Sequence, residues 1–160
     1  MIWIYTFFCW TLISHGLSYT SFTLSNLKIS EPTVSGDQFN ATVIVTLTNT
    51  GSLAGSQVIQ LYIGLPDTSD FTHPRWQLCA FEKVRDMRPG ESRYITLVLD
   101  RLSVSYWEKA WIVEDGTYNV RVAFSSEEGA DEGQEILGKF TISKGFEWTG
   151  LWVEQCKEEI

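Results

Sequence analysis

Residues 39–48 read FNATVIVTLT, and their apolar and polar side chains alternate with a period of two. The side chains expected on one face are apolar: Phe39, Ala41, Val43, Val45 and Leu47. Those expected on the other face are mostly polar: Asn40, Thr42, Ile44, Thr46 and Thr48. Successive side chains of a β-strand point to opposite faces, so this stretch predicts a strand with one face in a core and the other toward water.

Six further segments have the composition of strands and are separated by turn residues. They are Phe22–Ser30, Val58–Gly64, Leu78–Val84, Arg93–Leu99, Thr117–Phe124 and Glu135–Ile142. The turns between them include Asn49-Thr50-Gly51, Asp115-Gly116 and Pro89-Gly90, and the last pair is typical of the centre of a type II turn. The pattern predicts an all-β fold, a seven-stranded immunoglobulin-like or fibronectin type III-like β-sandwich.

The sequence also predicts how aromatic residues in its second half pack against the sandwich. Tyr118, two residues after Gly116, is placed like a tyrosine corner, whose hydroxyl bonds to an upstream backbone group. The segment 101–109 lacks alternation and is expected to form a bend or a single helical turn that docks Tyr106 and Trp107 onto the sandwich. Trp111 is expected in the core as well. Phe146 and Trp148 are expected to fold back on the domain.

Length and charge set broad limits. The chain has 160 residues, 12 of them basic and 20 acidic, for a formal net charge of −8. Nucleic acids and anionic membranes would repel such a chain on average, so neither is expected as a partner. The apolar stretch from Ile2 to Ile13 is shorter than the roughly 20 residues that span a bilayer. We expect a leader over residues 1–14, either signal-like or an artefact of the gene model, a domain over 15–145 and a tail over 146–160.

The three cysteines are Cys9, Cys79 and Cys156, and none stands in a CxxC pattern. No metal or cofactor site is predicted from them. If Cys9 were removed with a leader, Cys79 and Cys156 would be available to pair. Free, buried thiols are the alternative, and we favour it.

Candidate catalytic residues are few. The two histidines, His15 and His73, stand outside any recognised nucleophile motif. The acidic run SSEEGADEG at 125–133 lacks the spacing of a calcium loop, so a solvated hairpin loop is favoured over a calcium site. No catalytic residue is predicted.

Two residues are candidates for contact with carbohydrate. Asn40-Ala41-Thr42 is an acceptor sequence for N-glycosylation on the outward face of a predicted strand. Trp76, in the loop sequence HPRWQL, is the best candidate for an exposed ring on which a sugar could stack.

Taken together, the motifs resemble one known module, the C-terminal fibronectin type III-like domain of family-three glycoside hydrolases, the β-glucosidases and β-xylosidases. The segments that carry the resemblance are HGLSYTSF (15–22), TNTGSLAGSQVIQLYIG (48–64), QLCAFEKV (77–84), RPGES (88–92), LSVSYWE (102–108) and DGTYNVRVAFSS (115–126). In that family an aromatic-Gly pair usually precedes His-Gly-Leu-Ser-Tyr, and Ile13-Ser14 stands there instead. This departure predicts a seam between Ser14 and His15, as in a truncated chain or a fragment.

The resemblance implies a function without catalysis. In the family this module packs on a catalytic barrel and an α/β domain, and the nucleophile is an aspartate of a Ser-Asp-Trp-type motif on the barrel. Asp70, in Thr68-Ser69-Asp70-Phe71, falls in a loop of the β-module and is not expected to take that role. The leading hypothesis is a secreted, non-catalytic module that stabilises the catalytic domains of a β-glucosidase-type enzyme. A carbohydrate-binding module that uses Trp76 or the tail tryptophans, Trp148 and Trp152, and a freestanding secreted interaction domain remain as alternatives.

Overall fold

The computed structural model describes residues 19–66, 73–129 and 133–149, and the described residues form an all-β domain. Eleven strands occur within these ranges: β1 (Phe22–Ile29), β2 (Thr33–Ser35), β3 (Gln38–Asn49), β4 (Gly55–Gly64), β5 (Gln77–Met87), β6 (Ser92–Asp100), β7 (Tyr106–Trp107), β8 (Trp111–Val113), β9 (Gly116–Ala123), β10 (Glu135–Ile142) and β11 (Phe146–Trp148). A 3₁₀ turn over Leu102–Val104 joins β6 to β7. The seven predicted strands correspond to β1, β3, β4, β5, β6, β9 and β10, and the four additional strands are only two or three residues long.

The first sheet is built around β3. β1 and β2 pair with one side of β3 and β6 pairs with the other, all antiparallel. The inward row predicted from the sequence of β3 is confirmed, because each of its five apolar side chains is at most 5% exposed. Asn40 lies exposed on the opposite face. The alternation in FNATVIVTLT therefore identifies the face of the first sheet that packs into the core.

The second sheet has the strand order β10-β9-β4-β5 and is antiparallel throughout. Its inward residues on β4 are Ile59, Leu61 and Ile63, each 0% exposed, and they meet the inward row of β3 in one hydrophobic core. Two sheets that enclose a shared apolar layer make the predicted sandwich.

A third, three-stranded sheet in the order β11-β8-β7 brings together three tryptophans, since Trp111 pairs with both Trp107 and Trp148. The rings of Trp111 and Trp148 are stacked at 5.9 Å, and Trp148 is buried, as expected. Trp107 is different: its side chain is 56% exposed, so the prediction that it docks onto the sandwich is wrong. It lies on the outermost strand of this sheet, and its ring makes an edge contact with Trp111 on the neighbouring strand, at 5.5 Å.

The tyrosine corner is confirmed. The Tyr118 ring is 0% exposed, and its hydroxyl donates a hydrogen bond of 2.9 Å to the backbone carbonyl of Glu114. The ring also stacks on Phe140 with centroids 5.3 Å apart. The corner thus fixes the chain between β8 and β9 against the core.

The predicted turn at Pro89-Gly90 is also confirmed. Gly90 has φ of +76°, and the Glu91 amide donates to the Arg88 carbonyl at 3.0 Å, as a type II turn requires. The Glu91 carboxylate accepts a further hydrogen bond from the Arg88 amide at 2.7 Å, and this bond lowers the pKa of the Glu91 carboxyl. The turn reverses the chain from β5 in the second sheet to β6 in the first.

β11 lies within residues 146–160, the part of the chain that we assigned to a tail, and it pairs with β8. The expected leader over 1–14 lies outside the described residues. No helix within 19–66, 73–129 and 133–149 is long and apolar enough to cross a membrane.

Candidate functional site

A groove of about 490 Å³ opens at one end of the second sheet, where β4 ends and the chain returns into β5. Its lining includes Gly64, Leu65, His73, Arg75, Trp76 and Asn119. Because β9 and β10 contribute to one wall and the segment before β5 to the other, only the folded sheet brings these residues together. Trp76, a sugar-stacking candidate from the sequence, thus lies in a concavity.

Trp76 is half-buried, whereas the sequence suggested an exposed ring. It lies against Gly64, where an added Cβ would come within 3.5 Å of the indole and 2.9 Å of the Arg75 carbonyl oxygen. Gly64 therefore has no room for a side chain. The Trp76 indole N–H is buried and has no hydrogen-bond partner among the residues that the structure describes. The role of Trp76 in sugar stacking stays a prediction.

Polar contacts surround the groove. Arg75 forms an ion pair of 2.7 Å with Glu128, and both side chains are largely open to solvent. The His73 ring lies 4.5 Å from the Tyr106 ring, and the Tyr106 hydroxyl donates to Glu114 at 2.8 Å. His73 thus packs against Tyr106, which is in turn bonded to Glu114.

Beside the groove, the second sheet holds a buried arginine that sequence reasoning missed. Arg121 on β9 is 1% exposed, and its Nε donates to the Glu135 carboxylate at 2.7 Å. Its Nη2 donates to the Glu127 carbonyl, and its guanidinium lies 5.2 Å from the centroid of the Tyr62 ring. Burial raises the pKa of Tyr62, and the arginine charge acts in the opposite direction.

Arg121 is held from both described ends of the acidic loop, by the Glu127 carbonyl and by the Glu135 carboxylate. A charged residue at an outward strand position normally predicts exposure, and the hint in the sequence is the run of acids that follows it at 127–135. The buried cation thus joins β9 to residues that precede and follow the described gap in this loop.

The other candidates are placed as follows. No group of three or more His, Cys, Asp or Glu side chains suitable for a metal ion occurs in the described ranges, while Asp131 and Glu132 fall outside them. Asn40 is exposed on β3 between Thr33 of β2 and Asp100 of β6, so the acceptor nitrogen is on a free surface. His15 and Asp70 lie outside the described residues.

Cys79 is a half-buried free cysteine whose thiol contacts the carbonyl oxygens of Ser103, at 3.2 Å, and Gln77, at 3.3 Å. Burial raises the pKa of this thiol to about 12. A thiol with so high a pKa is protonated at neutral pH and makes a poor nucleophile. Cys156 lies outside the described residues, so its pairing with Cys79 stays a prediction.

Comparison with known proteins points to one family. The fibronectin type III-like domain family matches residues 57–126. Among curated proteins, probable β-glucosidase I of Aspergillus niger is 35% identical over 144 residues, which span 86% of this chain and 17% of that protein. Probable β-glucosidase L of Emericella nidulans is 36% identical, over 79% of this chain and 19% of that protein.

Solved structures give the same result. β-Glucosidase 3B from Thermotoga neapolitana in complex with glucose matches 85% of this chain and 18% of its own, with 31% identity and a TM-score of 0.73. The β-glucosidase from Kluyveromyces marxianus in complex with glucose matches 86% of this chain and 16% of its own, with 34% identity and a TM-score of 0.69. The chain thus spans about a sixth of these relatives. Residues 57–126 match the fibronectin type III-like domain family, and the chain is similar to the corresponding segment of these β-glucosidases.

Proposed function

We propose that this domain is a non-catalytic module that packs on, and stabilises, the catalytic domains of a β-glucosidase-type glycoside hydrolase. One observation carries the proposal: 86% of the chain aligns with only 17% of a β-glucosidase. In such a relative the matched segment is therefore joined to a stretch of protein that is several times longer. A β-sandwich with its own core suits a supporting role, because it folds around itself and offers its outer faces to a neighbour.

The described lining of the groove lacks the acids of a glycoside hydrolase. Glycoside hydrolysis usually needs two carboxylic acids that face each other across a cleft. The described residues that line the groove contribute histidine, arginine, tryptophan and asparagine side chains, and none of them is an aspartate or a glutamate. Glu128 is paired with the lining residue Arg75.

A domain exchange tests the supporting role. In the Kluyveromyces marxianus β-glucosidase, the matched segment is either replaced by this chain or deleted. We expect the exchanged enzyme to keep a longer half-life on heating than the deleted one, with hydrolysis of an aryl β-glucoside as the assay. Equal half-lives would contradict the proposal.

The isolated chain provides a second test. It should not hydrolyse an aryl β-glucoside. Turnover that survives purification and disappears in an Asp70→Asn variant would show that the chain is itself a catalyst and would overturn the proposal.

Polysaccharide binding at the groove is a second candidate, favoured by the half-buried Trp76 ring beside Asn119 and Arg75. Pockets that bind small molecules combine an aromatic surface with a few polar groups in this way. Retention of the chain on insoluble β-glucan should be lost in Trp76→Ala and kept in Trp107→Ala, an exposed tryptophan outside the groove. Equal retention of both variants, or none by the unchanged chain, would exclude this site.

We further propose that the domain works outside the cell, because Asn40 offers an exposed glycosylation acceptor. Secretion from a fungal host should give a chain whose mass falls on treatment with an N-glycosidase. The Asn40→Gln variant should show no such change. An unglycosylated secreted chain would remove this support.

A further inference from the structure

We propose that the outer face of the second sheet, at Leu78, Phe81 and Leu137, is the surface that docks on the catalytic part of a β-glucosidase-type protein. This inference rests on the proposed supporting function and adds which face of the sandwich performs it. We call these three residues the outer apolar surface.

Strand register places the outer apolar surface on the side away from the core. Leu78 of β5 pairs with Tyr62, Tyr62 pairs with Arg121, and Arg121 pairs with Leu137 of β10. These four residues form one row across all four strands. Phe81 pairs with Gln60, which stands two residues before Tyr62 on β4. Side chains two residues apart on a strand point to the same side, so Phe81 projects from this face as well.

Exposure is unevenly distributed across this face. The central residues Tyr62 and Arg121 are 5% and 1% exposed, and the Arg121 guanidinium donates to the Glu127 carbonyl. On the two edge strands, Leu78 is 41%, Phe81 69% and Leu137 61% exposed. The exposed apolar side chains at both edges of this face are available for contact with a partner.

The opposite face of the sandwich is different in character. On the outer side of the first sheet, Val98 pairs with Thr42 and Tyr94 pairs with Thr46, so this face also carries exposed apolar side chains, among threonines. The same face carries the exposed glycosylation acceptor Asn40, and a glycan there would obstruct docking. The glycosylation acceptor is therefore what favours the second sheet over the first as the docking face.

The occupant that we infer is the rest of a β-glucosidase-type polypeptide. In the β-glucosidases reported above, the matched segment is 16 to 19% of the protein, so the remaining four fifths belong to the same polypeptide. A tethered neighbour is present at high effective concentration and needs only a modest apolar contact to dock. Exposed aromatic residues such as Phe81 are the usual anchors of such contacts.

Hydroxyl-radical footprinting of the exchanged Kluyveromyces marxianus enzyme tests the face directly. Phe81 and Tyr94 form a matched pair of reporters, because both are exposed aromatics, 69% and 81%, on opposite sheets. In the exchanged enzyme, Phe81 should be oxidised several-fold more slowly than in the dilute isolated chain, while the rate at Tyr94 stays the same. Equal rates at Phe81 in the two proteins would overturn the proposal.

Substitutions give an independent measurement. Phe81→Ser with Leu137→Ser should shorten the half-life of the exchanged enzyme on heating, and Tyr94→Ser with Val98→Ser should leave it unchanged. In the isolated chain, both pairs should shift the melting temperature equally little. An equal loss from both pairs in the enzyme would contradict docking through the second sheet.

The outcomes separate this inference from the function on which it rests. If the exchanged enzyme is no more stable than the deleted one, the supporting function fails. If it is more stable but Phe81 stays reactive, only the face is wrong. Protection of Phe81 that appears in the isolated chain on raising its concentration, and is absent from the enzyme, would assign the surface to a second copy and overturn the inference.

Discussion

Replacing Arg121 by alanine is the sharpest test of how the outer face of the second sheet is held together. The substitution removes the 2.7 Å bond to Glu135, the bond to the Glu127 carbonyl and the contact with the Tyr62 ring. It leaves the Glu135 carboxylate, whose side chain is 19% exposed, without its partner. Loss of one member of a buried ion pair costs about 3–5 kcal/mol. Because Glu135 keeps some contact with water, we expect a loss of about 3 kcal/mol.

Urea unfolding monitored by tryptophan fluorescence measures this loss. With a slope of about 2 kcal/mol per molar urea, the midpoint should fall by roughly 1.5 M. Lys139→Ala is the matched control, because Lys139 is an exposed cation on the neighbouring strand β10. The Arg121→Ala, Glu135→Gln double variant should lose less than the sum of the two single variants, since the two side chains interact directly. A midpoint for Arg121→Ala equal to that of Lys139→Ala would refute the reasoning.

Three further predictions concern the core, the thiol and the turn. Tyr118→Phe should lower the free energy of unfolding by about 1–2 kcal/mol, because the Glu114 carbonyl loses its 2.9 Å bond; an unchanged urea midpoint would contradict this. Cys79 has its pKa raised by burial to about 12, so its alkylation at about pH 9, followed by peptide mass spectrometry, should be much slower in the native chain than in urea. Equal rates would contradict the buried position. The Glu91 carboxyl has its pKa lowered by the bond from the Arg88 amide, so it stabilises the fold above its unfolded pKa, and that contribution disappears as the pH falls through the folded value. Glu91→Gln should therefore lower the melting temperature at pH 7 and leave it unchanged at about pH 2; a loss that is the same at both would count against the assignment.

Sequence alone determined the class of fold and carried the resemblance to a known module. The period-two alternation of β3 predicts its buried face because a strand side chain has only two directions, and turns at Pro89-Gly90 and Asp115-Gly116 follow from local backbone preferences. Tyr118 was also predictable, since its position after Gly116 at the start of a strand is set by neighbours in the chain. Such features depend on residues that are close in sequence.

Only the tertiary structure decided how distant segments cover one another. Arg121 occupies an outward strand position and is nevertheless 1% exposed, with its guanidinium bonded to Glu135 and to the Glu127 carbonyl beyond the end of the strand. Trp107 was expected in the core and is 56% exposed, since its strand is the outermost of a small sheet. The groove at Trp76 and the outer apolar surface likewise depend on which strands lie side by side. Local alternation determines which way a side chain points, but its burial is determined by what packs above it, and that information lies elsewhere in the chain.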